Sequence, residues 1–192
     1  MIDMKKLVIV ALAALATLSA SAQNFAKVNF SELVALMPEM DKAREVIAAS
    51  QKEAEETYSA MVEEYQSKMT QYQQKQATWT AAIKESKERE LYDMQNRIQE
   101  FQNNISQELQ QQQAQLQAPI YEKANKTVQE IAKAKGITVL FDATQALYFD
   151  ESKVADLTAE ARKALSIPEG RTLESLQAEL QAQQAASQQQ AQ

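Results

Sequence analysis

The sequence predicts a mostly helical α+β protein, with a long antiparallel helical hairpin forming an arm and a small β-containing body carrying it. Three observations predict this. No Gly and no Pro lies between Pro38 and Pro119, and the stretch is dense in Glu, Gln, Lys, Ala, Met and Leu, the residues that cost least in a helix. Within it, apolar residues recur by steps of three and four, the spacing that keeps side chains on one helical stripe. On either side lie two short apolar runs, Ala26–Phe30 and Ile137–Phe141, suited to strands.

The chain opens with the features of a signal peptide over residues 1–22. Lys5 and Lys6 are followed by the apolar run Leu7–Leu18, too short to span a membrane, and by the small-residue site Ala20-Ser21-Ala22. Cleavage after Ala22 would release a mature chain outside the cytoplasmic membrane. No Cys follows the run, so lipoprotein processing is not expected. Loss of Lys5, Lys6 and Asp3 leaves 18 basic and 25 acidic residues, a net charge of −7 against −6 for the whole chain.

In the body, Ala26–Phe30 alternates as a short strand, and Ser31 is positioned to cap a short helix through Met37. Pro38 then stops or redirects the chain. The outgoing limb of the arm carries Tyr58, Met61, Tyr65, Met69, Tyr72, Gln76, Trp79 and Ile83 on one stripe. The return limb carries Leu91, Met94, Ile98, Phe101, Ile105, Leu109, Gln112, Leu116 and Ile120. Each stripe is narrow, like a coiled-coil seam, and the other faces are polar. The seams run out between Ile83 and Leu91, so the turn is expected at Glu85-Ser86-Lys87-Glu88 with Ser86 as cap. Pro119 is expected to mark the root of the arm, because an interior proline removes a backbone bond.

Gly136 suits a helix C-terminus. Ile137–Phe141 is apolar on both faces and is expected as a central, doubly covered strand. Asp142–Gln145 forms a turn, and Ala146–Phe149 returns as a second, antiparallel strand. Asp156-Leu157 leads into a helix with Thr158 as N-cap and Ala161, Ala164 and Leu165 inward. Leu173, Leu176 and Leu180 stripe one more helix, and Ala182–Gln192 is Gln/Ala low complexity, disordered or fraying helix. The divisions are thus residues 1–22 for the signal peptide, 23–40 and 119–168 for the body, 41–118 for the arm and 169–192 for the tail.

Composition excludes several function classes. The chain has no His and no Cys, and only Gly136 and Gly170 as glycines, so histidine catalysis, disulfides and Gly-rich phosphate loops are all out of reach. Acidic pairs such as Glu55-Glu56 fall on solvated helix faces rather than in a catalytic pair. An acidic chain, pI near 4.9, without a basic stripe is a poor nucleic-acid binder. No cofactor, metal or enzymatic activity is expected. So small a body favours self-association, and sequence physics leaves two, three or four copies open. The oligomerisation candidates are Val28, Phe30, Ile137, Val139, Phe141, Leu147 and Phe149.

Taken in order, Val28-Asn29-Phe30, the Gly- and Pro-free hairpin, Gly136-Ile137-Thr138-Val139-Leu140-Phe141-Asp142, Leu147-Tyr148 and Asp156-Leu157-Thr158 resemble the Skp/OmpH family of periplasmic chaperones. The resemblance covers about Phe25 to Leu165. It implies a homotrimer whose strands share a small barrel and whose three hairpins surround a cavity for unfolded outer-membrane proteins. The contact candidates for such clients are the soft and aromatic residues Met61, Tyr65, Met69, Tyr72, Trp79 and Met94, which serve equally well as plain seam. Well-known members are basic; this chain is acidic, so no residues for anionic lipid are carried over. The competing expectation from the arm alone is an extracytoplasmic coiled-coil spacer or adaptor.

Overall fold

The computed structural model describes residues 24–190, and the expected signal peptide lies outside them. The elements are β1 (Phe25–Val28), α1 (Phe30–Leu36), α2 (Pro38–Lys75), a 3-10 turn (Gln76–Thr78), α3 (Ala81–Ala134), β2 (Val139–Asp142), β3 (Val154–Asp156), α4 (Thr158–Ala164) and α5 (Leu173–Gln190). The described residues fall into two compact units. One holds the residues up to Met37 and those from Lys123 onward; the other is Pro38–Glu122.

The first unit is built on a three-stranded sheet in the order β2-β1-β3, with both pairings parallel. Ala26 and Val28 of β1 face inward and are buried. Ala26 clusters with Ala132 and Leu157, and Ile131, Ile137 and Leu140 close around them. The end of α3 therefore covers the inner face of the sheet. Helix α1 packs on α4 and α5, and the largest fully buried side chains are Leu33, Leu36, Met37 and Leu165. Each such burial contributes about 1.5–3 kcal/mol.

The sheet and two helix caps differ from the expectation. The strand at Val139–Asp142 is an edge, not the centre, and Val139 is 42% exposed. The centre is β1, and the sheet is open, so no barrel closes within the chain. Residues 146–149 do not pair; β3 takes the second place beside β1 and runs parallel to it. The cause is local. Asp142 Oδ1 accepts from the Thr144 N–H and hydroxyl (3.0 and 2.8 Å), which ends β2, and Asp150 does the same for Ser152 before β3. Between those two turns Phe149 meets Phe141 edge-on at 5.4 Å, so its segment packs by side chain rather than by ladder. The caps also shift. Asn29, not Ser31, caps α1: its Oδ1 accepts from the Glu32 N–H while its side-chain amide donates to the Glu32 carboxylate. Thr158 begins α4 rather than capping it. Its N–H donates to Asp156, and its hydroxyl oxygen accepts from the Asn29 N–H. Helix α5 continues through the Gln/Ala run to Gln190.

Two helix ends use the same backbone device. At the end of α3, the Gly136 N–H reaches the Lys133 carbonyl (3.1 Å) and the Ile137 N–H reaches Ala132 (2.9 Å), with Gly136 at φ +66°. At the end of α4, Ser166 and Ile167 repeat those bonds to Lys163 and Arg162, and Ser166 sits at φ 57°. A Cβ is disfavoured in that region, and glycine is not. Ser166→Gly is therefore expected to raise stability by about 0.5–1 kcal/mol, the strain relieved less the added chain entropy of glycine. A denaturant titration checks it; an unchanged or lower midpoint would show that Ser166 carries no strain.

The second unit is α2 with the first part of α3. Helix α2 has 38 residues, hence a rise of about 57 Å. The turn between the helices is at Gln76–Thr80, not at Glu85–Glu88, which are helical. Thr80 caps α3: its hydroxyl oxygen accepts from the Ile83 N–H at 3.4 Å and its carbonyl from the Lys84 N–H at 3.0 Å. Thr78 closes the end of α2 by donating to the Lys75 carbonyl. Ile83, counted in the outgoing seam, is 44% exposed. Pro119 lies within α3, and the helix continues past it.

Candidate functional site

Along the arm, burial follows the expected stripe. Tyr58, Met61, Tyr65, Met69, Tyr72 and Trp79 are half-buried, as are Ile98, Phe101, Ile105, Leu109 and Leu116, while Leu91, Met94 and Ile120 are buried. Tyr72 and Trp79 meet edge-on at 5.8 Å beside the turn. The six soft and aromatic candidates thus lie on the seam. Five keep part of their surface in water, and Met94, 6% exposed, does not. Thioether and aromatic groups held half-wet on a stiff helix offer adaptable apolar contact without a shaped pocket.

An ion pair and a hydrogen bond tie α2 to α3 close to the turn. Lys68 reaches Glu90, and the Tyr72 hydroxyl donates to Glu88. Lys87 also holds Glu90, at 2.7 Å, and Lys68 reaches Glu64 at 3.7 Å. The hydrogen bonds from Lys68 and then Lys87 lower the Glu90 carboxyl to about 2. A depressed folded pKa stabilises above the ordinary carboxylate range and ceases to do so as pH falls through the folded value. The helix signal of the wild type is therefore expected to melt at progressively lower temperature between about pH 5 and about pH 2, and Glu90→Gln to flatten that dependence. Parallel curves for the two proteins would show that Glu90 makes no such contribution.

Between residues 50–57 and 101–115 the seam opens into a cleft of about 580 Å³. Ser50, Ala54, Thr57, Phe101, Ile105 and Leu109 line it, with Glu53, Glu108 and three glutamines around them. Phe101, Ile105 and Leu109 were expected only as seam. The signal for a gap was present in the small residues Ser50 and Ala54, which stand on the stripe between Ile47 and Tyr58.

The body carries the other surface of interest. In register, Phe25, Val139 and Val154 share the outer face of the sheet with Lys27, Phe141 and Asp156. Lys27 pairs with Glu151 at 2.5 Å and lies 4.8 Å from the centre of the Phe149 ring. Phe25 is 37% exposed, and Leu147 and Tyr148 stand almost fully in solvent at 105% and 87%. Of the oligomerisation candidates, Val28 is buried in the chain's own core; Phe30, Ile137, Phe141 and Phe149 are half-buried; Val139 and Leu147 are exposed.

Among the described residues no cluster of three or more acidic side chains is arranged to hold a metal ion, and no helix is long and apolar enough to cross a membrane. A family model described as outer membrane protein (OmpH-like) matches residues 24–165, and so takes in both units. No curated protein matches the chain.

Proposed function

The chain belongs to the OmpH-like outer membrane protein family, and from that premise we propose that it is a periplasmic, ATP-independent holdase for unfolded outer-membrane proteins. The observation that carries this is the span of the family match, from Asn24 ahead of β1 to Leu165 at the end of α4. In this reading residues 1–22 direct export and are removed. The body forms a homotrimer, with the open sheets of three copies completing a barrel-like core. Helices α2 and α3 form an antiparallel hairpin, supported by contact pairs that run in opposite order, Lys68 with Glu90 and Tyr72 with Glu88.

The mechanism is confinement. Unfolded barrel strands alternate apolar and polar residues and carry free edges, so in the open they aggregate. Arms that present Met61, Tyr65, Met69, Tyr72 and Trp79 offer many weak apolar contacts and keep one client chain from another. Long-range attraction is not the driving force for acidic clients. Residues 51–118 carry seven basic against eleven acidic side chains, and no basic motif supports contact with anionic lipid or nucleic acid. No covalent step is involved.

The test is dilution of an unfolded outer-membrane protein from denaturant with and without the mature chain. Suppression of light scattering at near-stoichiometric amounts is expected. A coiled-coil spacer or adaptor would leave scattering unchanged, and that result would overturn the proposal.

A further inference from the structure

The cleft in the arm has chemistry beyond a general apolar contact. Elsewhere on the stripe α2 presents Tyr58, Met61, Tyr65 and Met69; at the cleft it presents Ser50 and Ala54. These small side chains leave Phe101, Ile105 and Leu109 half-buried around a space of about 580 Å³. That volume lies within the range of sites that hold compact organic groups, about 300–1,000 Å³, and takes one or two large apolar side chains.

The surroundings select among occupants. Glu53 and Glu108 are exposed members of the lining, and no Lys or Arg lines the cleft. Among the described residues neither glutamate has an ion pair, in contrast to Glu64 and Glu90, which Lys68 holds. Helix α3 has no basic residue between Arg97 and Lys123. The space therefore has an apolar patch of Ala54, Phe101, Ile105 and Leu109, bordered by uncharged polar side chains and by two carboxylates. A second copy of the arm is a poor occupant, being acidic overall. The chain's own tail is another, with no Lys or Arg after Arg171. We propose, on the holdase reading, that this cleft is a subsite for a large apolar side chain of an unfolded client flanked in its sequence by Lys or Arg. The apolar group fills the space left by Ala54, and the flanking cations meet Glu53 and Glu108.

The experiment uses the full mature protein and two labelled synthetic peptides. Both carry Phe and Leu at every second position; one has Lys between them and the other Glu. Fluorescence anisotropy is expected to give at least about tenfold tighter binding of the Lys peptide. Ala54→Phe, which fills the cleft, is expected to weaken that binding about tenfold. The double substitution Glu53→Gln and Glu108→Gln changes only exposed carboxylates, and so decides the matter if Ala54→Phe does not fold; it should bring the two peptides to within about threefold of each other. Equal binding of the two peptides by the wild type, or a preference untouched by both variants, overturns the subsite. Failure of the holdase reading looks different: the Lys peptide binds as described, while scattering by an unfolded barrel protein is not suppressed.

Discussion

On the proposed homotrimer, Leu147→Asp is expected to give monomers while leaving the fold of each chain intact. Leu147 is fully exposed in the single chain, and Tyr148 beside it nearly so. On a monomer surface such a change shifts stability by no more than about 0.5 kcal/mol. In an oligomer that covers Leu147, the same change buries an unpaired carboxylate at every interface, at a cost of several kcal/mol per ion. The single-chain and assembled readings therefore predict opposite outcomes for one substitution. Phe141→Ala separates them less cleanly. Phe141 is already half-buried against Phe149 at 5.4 Å, so its loss weakens the chain as well as any interface. Sedimentation at micromolar concentration decides the matter, with circular dichroism to verify that the variant is folded. A wild type that sediments as a monomer, or a variant that stays assembled, would remove the body from its proposed role.

The parts legible in the sequence were those that a local rule dictates. A stretch free of Gly and Pro with steps of three and four has one regular solution, and the half-burial of Tyr65, Met69, Phe101 and Ile105 follows that stripe. Gly136 was legible because the backbone device at a helix end demands a positive φ that glycine adopts freely. The turn was misplaced because periodicity alone does not end a helix: the steps run on through Trp79 to Ile83. What ends α2 is the cluster Thr78-Trp79-Thr80, with two β-branched residues, an aromatic and a capping hydroxyl. The sheet was the least legible part. Ile137–Phe141 is apolar on both faces, yet Val139 and Phe141 turn to the outer side, where Phe149 packs on Phe141 and Val139 stays exposed. Pairing of β1 with β3, more than a hundred residues away, follows from the docking of α3 and α4 and leaves no local signature. Arg162 is similar. It spans Glu32 of α1 and the backbone carbonyls of Pro168 and Arg171, three partners that only the folded body brings together.

Shortening the arm is expected to abolish client protection without disturbing the body. The contact pairs fix where to cut. Since Lys68 meets Glu90 and Tyr72 meets Glu88, Tyr65 lies near the level of Asp93 and Lys75 near that of Ile83. Excising Tyr65–Lys75 together with Ile83–Asp93 removes eleven residues from each limb and retains the native turn with Thr78 and Thr80. Eleven residues are close to three full helical turns, so the stripe keeps its phase, and the arm loses about 16 Å. Among the seam candidates the cut takes Tyr65, Met69 and Tyr72 from one segment and Ile83 and Leu91 from the other, along with the Lys68–Glu90 pair. The cleft at Ser50–Thr57 and the sheet remain. Confinement depends on reach, so a shortened cage that still holds the soft contacts Met61, Trp79 and Met94 should no longer enclose an unfolded barrel chain. The same oligomer by sedimentation and a scattering curve close to that of client alone are expected. Full protection at the wild-type ratio would show that the length of the arm plays no part, and that binding rests on the body or the cleft.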